Sequence, residues 1–184
     1  MVRMIISKMD IPEVLLLEPE VYGDERGYFM ETFRSSHFKE IGLNFEFVQD
    51  NQSRSRRGTL RGLHFQHRKP QGKLVRVVSG EVFDVAVDIR KSSPMFGMWV
   101  GERLSSENHK QLWVPPGFAH GFYVLSEYAD IAYKCTDYYC GEDEFSLFWD
   151  DPELSIEWPT DGQDPLLSER DRLALPLNEL PEVS

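Results

Sequence analysis

Four basic side chains occur in or near two polar stretches of the chain and could act together. His64 and Arg61 lie within residues 49–67, Lys73 follows shortly after, and His120 lies in the PPGFAHGF segment at 115–122. An imidazole can take a proton from a carbon beside a carbonyl, and a lysine or arginine can stabilise an oxyanion or hold a phosphate. Together these side chains predict proton abstraction from an anionic substrate. Ordinary roles in the core or at the surface are the alternative for each of them.

Several other kinds of chemistry lack their sequence motifs. The chain has no GxGxxG or GxxxxGK[ST] phosphate loop and no GxSxG nucleophile elbow. Cys135 and Cys140 are five positions apart, which is not a CxxC spacing, so we interpret them as packing or incidental thiols. These absences argue against dinucleotide binding, P-loop chemistry, serine acyl transfer and a cysteine-bound metal.

The motif for a metal site is incomplete. PPGFAHGF resembles the second half-motif of the cupin superfamily, whose first half-motif supplies HxH and a glutamate. Here Gln66 takes the place of the second histidine, and Lys73 lies where the acidic ligand is expected. If the chain around His64 forms a strand, His64 and His67 point to opposite faces, with Arg61 on the face of His67. We therefore predict a metal-free cupin barrel.

The elements that would position these residues are short strands separated by Gly and Pro. Residues 81–89 alternate with a period of two, which places Asp84 and Asp88 on one face. A two-residue SG connection of the hairpin type joins this strand to one at 74–78. Further strands are predicted at 14–18, 28–32, 45–51, 99–104, 111–114, 121–125, 131–136 and 146–149.

Helix is scarce in the pattern. Short helices are predicted at 36–41, with a serine cap in front and Gly42 behind, and at 168–173. The arginine-rich segment at 54–57 is interpreted mainly as a solvated loop. About ten short strands without long helices predict an all-β fold, an antiparallel double-sheet jelly roll of the cupin-barrel type with a few short helices.

Length and composition limit the remaining possibilities. The 184 residues are 41% hydrophobic and 12% aromatic, which is enough for one domain over residues 1–184 with a sizeable core. With 20 Lys+Arg against 31 Asp+Glu, the net charge is −11, so general nucleic-acid binding is not expected. No apolar run approaches the roughly 20 residues of a membrane-spanning helix, and no signal-peptide pattern occurs. We expect a cytoplasmic protein without membrane contact.

Nearly the whole chain resembles the dTDP-4-dehydrorhamnose 3,5-epimerase family. The resemblance rests on ordered blocks, namely GDERGYFME at 23–31, the polar block at 49–64, QGKLVR at 71–76, GEVFDVAVDIR at 80–90, PPGFAHGF at 115–122, YK and TDYY at 133–139, WDDP at 149–152 and LSERD at 167–171. It implies an isomerase that inverts C3 and C5 of dTDP-4-dehydro-6-deoxy-D-glucose to give dTDP-4-dehydro-L-rhamnose. It also implies a homodimer that works without metal or organic cofactor.

The resemblance assigns roles to individual residues. His64 matches the family's general base, Tyr133 matches its general acid on the opposite face of the sugar ring, and Lys73 matches the cation near O4. Asp171 matches the carboxylate that orients the histidine, and Asp84 is the competing candidate because it lies on a neighbouring strand. The substrate-contacting positions of the family fall on Arg26, Glu31, Gln49, Asn51, Arg61, His120, Glu144 and Arg170.

The sequence leaves two points open. One is which residues recognise the thymine of the substrate, and the other is whether one carbon or two are inverted. Phe29 and Tyr138 are candidates for stacking on thymine, with burial as the alternative. Arg170 stands where the family usually has lysine, which keeps the charge but changes its geometry. The alternative functions are a 3-epimerase or 5-epimerase acting on one carbon, a noncatalytic sugar-nucleotide-binding cupin, and a metal-dependent cupin oxygenase.

Overall fold

The computed structural model describes residues 3–183, and strands dominate this part of the chain. Its strands are β1 (Met4–Lys8), β2 (Leu15–Pro19), β3 (Val21–Asp24), β4 (Gly27–Met30), β5 (Gln49–Arg56), β6 (Leu60–Gln66), β7 (Lys73–Ser79), β8 (Glu81–Asp88), β9 (Trp99–Ser105), β10 (Gln111–Val114), β11 (Phe118–Val124), β12 (Tyr128–Cys135) and β13 (Glu144–Ser146). The helical segments are α1 (Ser35–Glu40), α2 (Glu169–Arg172) and a 3₁₀ turn at Leu177–Glu179. The predicted all-β class with a few short helices is confirmed.

The strands form two antiparallel sheets and a separate hairpin. The first sheet has the order β1-β2-β10-β7-β12-β5, and the second has the order β13-β6-β11-β8-β9. Strands β3 and β4 pair with each other as the hairpin. Because the chain crosses repeatedly between the two large sheets, the arrangement is the predicted double-sheet one.

Strands β7 and β8 do not form the predicted hairpin. β7 ends at Ser79 in the first sheet, β8 begins at Glu81 in the second, and Gly80 lies between them. Gly80 has a φ of 83°, and a Cβ at this position would lie 2.1 Å from the carbonyl oxygen of Tyr128. Glycine therefore allows a tight corner that carries the chain from one sheet to the other.

The space between the sheets is apolar at one end and polar at the other. Along β7, the inward side chains change from Val77 and Val75, which belong to the buried core, to Lys73, which lines a cavity. Along β12, they change in the same way from Ile131 to Tyr133. Since alternate residues share a face, one half of each strand packs the core and the other half faces the cavity.

Segments outside the sheets cover both outer faces. On the first sheet, Phe38 of α1 and the nearby Phe47 contact the buried Trp113 of β10. On the second sheet, the C-terminal segment packs Leu177 and Leu180 into a second apolar cluster. The same segment contains α2, which contacts β6. The C-terminal segment therefore brings its polar residues to the strand that contains His64.

The arginine-rich segment belongs mostly to a strand, so its interpretation as a loop was wrong. β5 spans Gln49–Arg56 at the edge of the first sheet, whereas the sequence predicted a strand at 45–51. Arg54 on β5 donates to Asp130 on β12 at 2.6–3.1 Å. An edge strand exposes much of its length, so its side chains show the polar pattern of a loop.

The remaining differences concern the ends of elements. β1 and β3 were not predicted, and β13 spans Glu144–Ser146 instead of 146–149. The residue that caps α1 is Arg34, without a side-chain hydrogen bond, and not the predicted serine. Ser168 does cap α2, because its side chain accepts a hydrogen bond from the backbone N–H of Asp171.

Candidate active site

The polar end of the interior forms a cavity of about 360 Å³. The second sheet contributes His64 from β6 and His120 from β11, and the first sheet contributes Lys73 from β7 and Tyr133 from β12. The other lining residues are Gln49, Asn51, Ser53, Arg61, Gln71, Phe122, Tyr139 and Glu144. All four basic side chains singled out in the sequence therefore meet in one cavity.

His64 is held by a carboxylate from a distant part of the chain. Its Nε2 lies 2.6 Å from Oδ1 of Asp171 in α2, and Oδ2 of Asp171 accepts a hydrogen bond of 2.7 Å from Ser168. Burial would raise the pKa of Asp171, but the hydrogen bonds from His64 and Ser168 outweigh burial and hold this pKa below its ordinary value. Nε2 of His64 therefore donates to a carboxylate, which leaves Nδ1 to accept a proton.

His120 has a carboxylate of its own. Its Nε2 lies 2.9 and 3.0 Å from the two oxygens of Asp84, a fully buried residue on the adjacent strand β8. His120 and His64 are partners in the register of β11 and β6, so the two imidazoles lie on neighbouring strands. In the structure, Asp171 pairs with His64 and Asp84 pairs with His120. The sequence had left both aspartates as candidates for the partner of His64, and the structure shows that this partner is Asp171.

Lys73 and Tyr133 approach the cavity from the first sheet. Burial lowers the pKa of Lys73, although Cys135 and Glu144 act in the opposite direction. Burial also raises the pKa of Tyr133, and here Cys135 and Glu144 add to the effect. A phenol with a raised pKa is protonated at neutral pH and can donate a proton. A lysine in a poorly hydrated place interacts strongly with negative charge that develops beside it.

Arg61 and His64 lie on the same face of β6, although the sequence predicted opposite faces. Along β6, three positions separate Arg61 from His64, whereas two positions separate their partners Phe122 and His120 on β11. This β-bulge adds one residue and reverses the alternation of side chains. Gly62 lies within it, with a φ of 124° and the backbone of β11 too close for a Cβ. The bulge therefore turns both side chains into the cavity.

His67 lies on the other side of the sheet from the cavity. Its ring lies 6.0 Å from the ring of Phe145, which in turn stacks on Phe65 at 5.8 Å. Phe65 belongs to the apolar cluster beneath the C-terminal segment. The prediction that His64 and His67 point apart is confirmed.

A second cavity of about 310 Å³ adjoins the first and is rich in arginine. Arg61 and His64 line both cavities, and Arg56 and Arg170 line the second. Nε of Arg61 donates to Ser55 at 2.8 Å, which orients the guanidinium and leaves its terminal nitrogens for a ligand. Planar guanidinium groups hold phosphate oxygens in pairs. Arg61 therefore stands at the junction between the main cavity and an arginine-rich one.

Sequence comparison identifies the family. Residues 8–179 match the family model described as dTDP-4-dehydrorhamnose 3,5-epimerase. The dTDP-4-dehydrorhamnose 3,5-epimerase of Pseudomonas aeruginosa is 59% identical over 167 residues, which cover 90% of this chain and 92% of the relative. This chain belongs to the dTDP-4-dehydrorhamnose 3,5-epimerase family.

Solved structures of the same fold include family members with bound ligands. The dTDP-6-deoxy-D-glucose-3,5-epimerase of Legionella pneumophila, in complex with dTDP-4-keto-L-rhamnose, matches with a TM-score of 0.94 and 56% identity, covering 97% of this chain and 95% of that one. A 3'-monoepimerase from Streptomyces bikiniensis, in complex with dTDP-quinovose, matches with a TM-score of 0.88 and 34% identity, covering 94% and 87%. The fold therefore serves both double and single epimerases.

Three of the residues predicted to contact the substrate form polar contacts at the cavity. Nε2 of Gln49 donates to Oδ1 of Asn51 at 3.0 Å, and Nδ2 of Asn51 lies 3.6 Å from Sγ of Cys135. The carboxylate of Glu144 accepts a hydrogen bond of 2.8 Å from the hydroxyl of Tyr139. These contacts hold amide and carboxylate groups at the cavity wall.

Arg170 makes use of the geometry that distinguishes it from lysine. Nη1 donates to the carboxylate of Glu144, and Nη2 donates to the backbone carbonyl of the same residue at 2.6 Å. A single ammonium group would not span these two acceptors as a rigid fork does. In this family member, Arg170, which lines the second cavity, thus holds Glu144 at the wall of the main cavity.

Four residues that the sequence connected with the substrate lie elsewhere or face solvent. Arg26 pairs with Asp24 within the β3–β4 hairpin, and Glu31 accepts hydrogen bonds from Arg34. Neither Arg26 nor Glu31 lines the cavity of His64. Phe29 and Tyr138 are 64% and 65% exposed, so neither is buried in the core. Burial was the alternative to stacking on thymine for these two residues.

The structure adds cavity residues that the sequence did not single out. Ser53, Gln71 and Tyr139 line the main cavity, and Ser168 reaches the carboxylate of Asp171. Ser53 lies two positions after Asn51 on β5, so alternation along a correctly placed strand would have found it. Ser168 was indicated by its place at the start of the predicted helix, although its contact with the Asp171 side chain was not.

Two further observations concern metal ligands and membrane-spanning helices. Within residues 3–183, no group of three or more His, Cys, Asp and Glu side chains is arranged to hold a metal ion. In the same range, no helix has the length and apolar character needed to cross a membrane. The Lys and Arg side chains that line the two cavities are Lys73, Arg56, Arg61 and Arg170.

Proposed function

We propose that this protein inverts C3 and C5 of dTDP-4-dehydro-6-deoxy-D-glucose and so produces dTDP-4-dehydro-L-rhamnose. One observation carries the proposal beyond family membership. A histidine held by a carboxylate and a protonated tyrosine stand on opposite sheets of one cavity, since His64 belongs to β6 and Tyr133 to β12. Inversion at carbon requires removal of a proton on one face of the ring and its return on the other.

The position of the ketone explains how one site can serve two carbons. C3 and C5 both flank the C4 carbonyl, so loss of either proton gives an enolate with its charge on O4. One base and one oxyanion site are then enough for both steps, provided that the ring can present each carbon in turn. Lys73 is the proposed partner of O4, because a fixed positive charge in a poorly hydrated cavity stabilises a developing oxyanion.

The proton transfers follow from the contacts of His64 and Tyr133. Nδ1 of His64 takes the proton from carbon, and Asp171 on Nε2 stabilises the imidazolium that forms, as an aspartate does in catalytic triads. Tyr133 returns a proton to the opposite face of the ring. The raised pKa of Tyr133 keeps the phenol protonated at neutral pH, although it also makes the phenol a weaker acid, so the role rests on the position of Tyr133 opposite His64.

The two cavities suggest how the sugar nucleotide is held. The sugar ring occupies the main cavity beside Gln49, Asn51 and His120, and Arg61 binds the diphosphate where the two cavities meet. The arginine-rich wall of the second cavity supports this placement, because the rest of the protein is strongly acidic.

A homodimer would explain why Arg26 and Glu31 lie away from the cavity. The β3–β4 hairpin exposes the apolar side chains of Tyr22, Tyr28 and Phe29, which is the character of a surface that meets a partner. We propose that this hairpin reaches a second copy of the chain and that Arg26 and Glu31 act in the site of that copy.

Mixed dimers test this proposal. Arg26→Ala and His64→Asn homodimers should both be inactive or severely impaired, but dimers containing one chain of each should regain one intact site. For random mixing, about a quarter of wild-type activity is expected. If Arg26 acts within its own chain, mixing restores nothing, and a monomeric wild-type protein in light scattering would refute the dimer itself.

Incubation with the 4-ketosugar nucleotide in deuterated water tests the main proposal. Deuterium should appear at both C3 and C5, because each position passes through an enolate and is reprotonated by an exchangeable acid. The S. bikiniensis 3'-monoepimerase makes one-carbon epimerisation the second candidate, and label at a single carbon would establish it. Absence of label at both carbons, with folded protein that binds dTDP, would leave only a noncatalytic binding function.

A further inference from the structure

The carboxylate of Asp171 is shared between two partners. Oδ1 accepts from His64, and Oδ2 accepts from the hydroxyl of Ser168 at 2.7 Å. The oxygen of the same hydroxyl accepts a hydrogen bond of 3.1 Å from the backbone N–H of Asp171. A single serine thus contacts both the main chain and the side chain of the residue that holds His64.

The helix that contains Asp171 is short. α2 spans only Glu169–Arg172, and Asp171 is the one buried residue in it. A helix of one turn gains little stability from its own hydrogen bonds, so local contacts must fix its side chains. Asp84 differs because it lies within a central strand, where pairing on both sides holds the backbone.

We propose that Ser168 is a positioning residue for the reaction. Its hydroxyl fixes the rotation of the Asp171 carboxylate, so that Oδ1 remains directed at Nε2 of His64. A carboxylate bound at one oxygen only can turn about its Cβ–Cγ bond. Hydrogen bonds at both oxygens remove that freedom, and preorganisation of this kind preserves the geometry for proton transfer.

The proposal rests on the proposed epimerase function and is tested by kinetics of Ser168 variants. Ser168→Ala should lower kcat for exchange at C3 and C5 about tenfold, the size expected for one hydrogen bond to a charged group. The Kd for dTDP should stay unchanged, because the hydroxyl of Ser168, although this residue lines the second cavity, already donates to Asp171. Ser168→Thr keeps the hydroxyl and should restore most of the rate.

A second background separates positioning from a general loss of structure. In Asp171→Ala, the additional Ser168→Ala change should leave the residual exchange rate unchanged, because no carboxylate is present to be oriented. It should still lower the Tm, since the cap on α2 is lost in either background.

Two outcomes would overturn the inference. A wild-type kcat in Ser168→Ala would show that the contact has no role in the reaction. An equal further loss of rate in the Asp171→Ala background would show that Ser168 does not act through the carboxylate. Absence of exchange in the wild-type protein, measured in parallel, would instead refute the proposed function.

Discussion

The two histidine–carboxylate pairs of the cavity look alike but occupy different surroundings. Each histidine uses Nε2 to reach an aspartate, and the histidines are cross-strand partners. The side chain of His64 is 27% exposed toward the cavities, whereas that of His120 is 8% exposed and its Asp84 is completely buried. Asp171 comes from 107 residues away in a short helix, and Asp84 comes from the adjacent strand.

This difference supports the proposal that one pair is reactive and the other supports it. A base must accept a proton from substrate, so its free nitrogen has to face the cavity while its partner stabilises the charge that forms. His64 lines the cavity and has Asp171 as its carboxylate partner, which supports the proposal that it is the base. The pair of His120 and Asp84 is more deeply enclosed, which fits a side chain that is held rigidly to contact the substrate and to stabilise the sheet.

The largest expected effect contrasts the two histidines. His64→Asn should reduce exchange at C3 and C5 by about 10²–10⁴-fold, because the amide cannot accept a proton. His120→Asn should keep the exchange rate at saturating substrate within about tenfold. It should also lower the free energy of unfolding by about 1–3 kcal/mol, because Asp84 loses its partner. NMR exchange rates and chemical denaturation measure both quantities, and equal losses of exchange would end the distinction between the pairs.

The second prediction uses Tyr133 to identify which histidine takes the proton. Tyr133→Phe removes only the hydroxyl, so inversion should fall by about 10²–10⁴-fold while exchange into the substrate persists. Adding His64→Asn should abolish that remaining exchange, and adding His120→Asn should not. Inversion of both carbons at a normal rate in Tyr133→Phe would contradict the two-face mechanism.

The third prediction concerns the carboxylates. Asp171→Asn should lower kcat about 10²-fold with little change in the Kd for dTDP, because the imidazolium loses its stabilising charge. Asp84→Asn should change kcat less and the unfolding free energy more, since Asp84 is fully enclosed in the sheet. Should Asp84→Asn prove the more damaging to kcat, the assignment of the reactive pair would have to be reversed.

The smallest expected effect is on stability in acid. Because the pKa of Asp171 is lower in the folded protein than its ordinary value, the charged carboxylate stabilises the fold above that ordinary value, about 3.9. This contribution is lost as the pH falls through the lower folded pKa. The difference in Tm between the wild type and Asp171→Asn should thus be greatest above about pH 5 and should shrink toward pH 3. A difference that is constant with pH would show that the ionised form of Asp171 is not favoured by the fold.

Local patterns in the sequence were sufficient for the fold class and most strands. Alternation with a period of two predicted β8 and placed Asp84 and Asp88 on one face of it, because residue type and side-chain direction are coupled within a single strand. The burial of both aspartates was not predicted. The same rule failed at Arg61 and His64, where a bulge reverses the alternation. A bulge is produced by pairing with another strand, so nothing within the strand itself distinguishes it.

Sheet membership and the composition of the site depended on distant segments. The short connection at Gly80 was recognisable as a turn, but whether it joins partners in one sheet or turns a corner between two depends on how the sheets pack. Likewise, the sequence contained both candidate carboxylates, and only the family resemblance favoured Asp171 over Asp84. Asp84 lies on β8, which is separated from the strand of His64 only by β11. The partner of His64 is nevertheless Asp171, because the C-terminal segment packs against the second sheet and brings Asp171 to it. Residue types and local alternation are determined along the chain, whereas the partner of a side chain is decided by the packing of segments far apart in sequence.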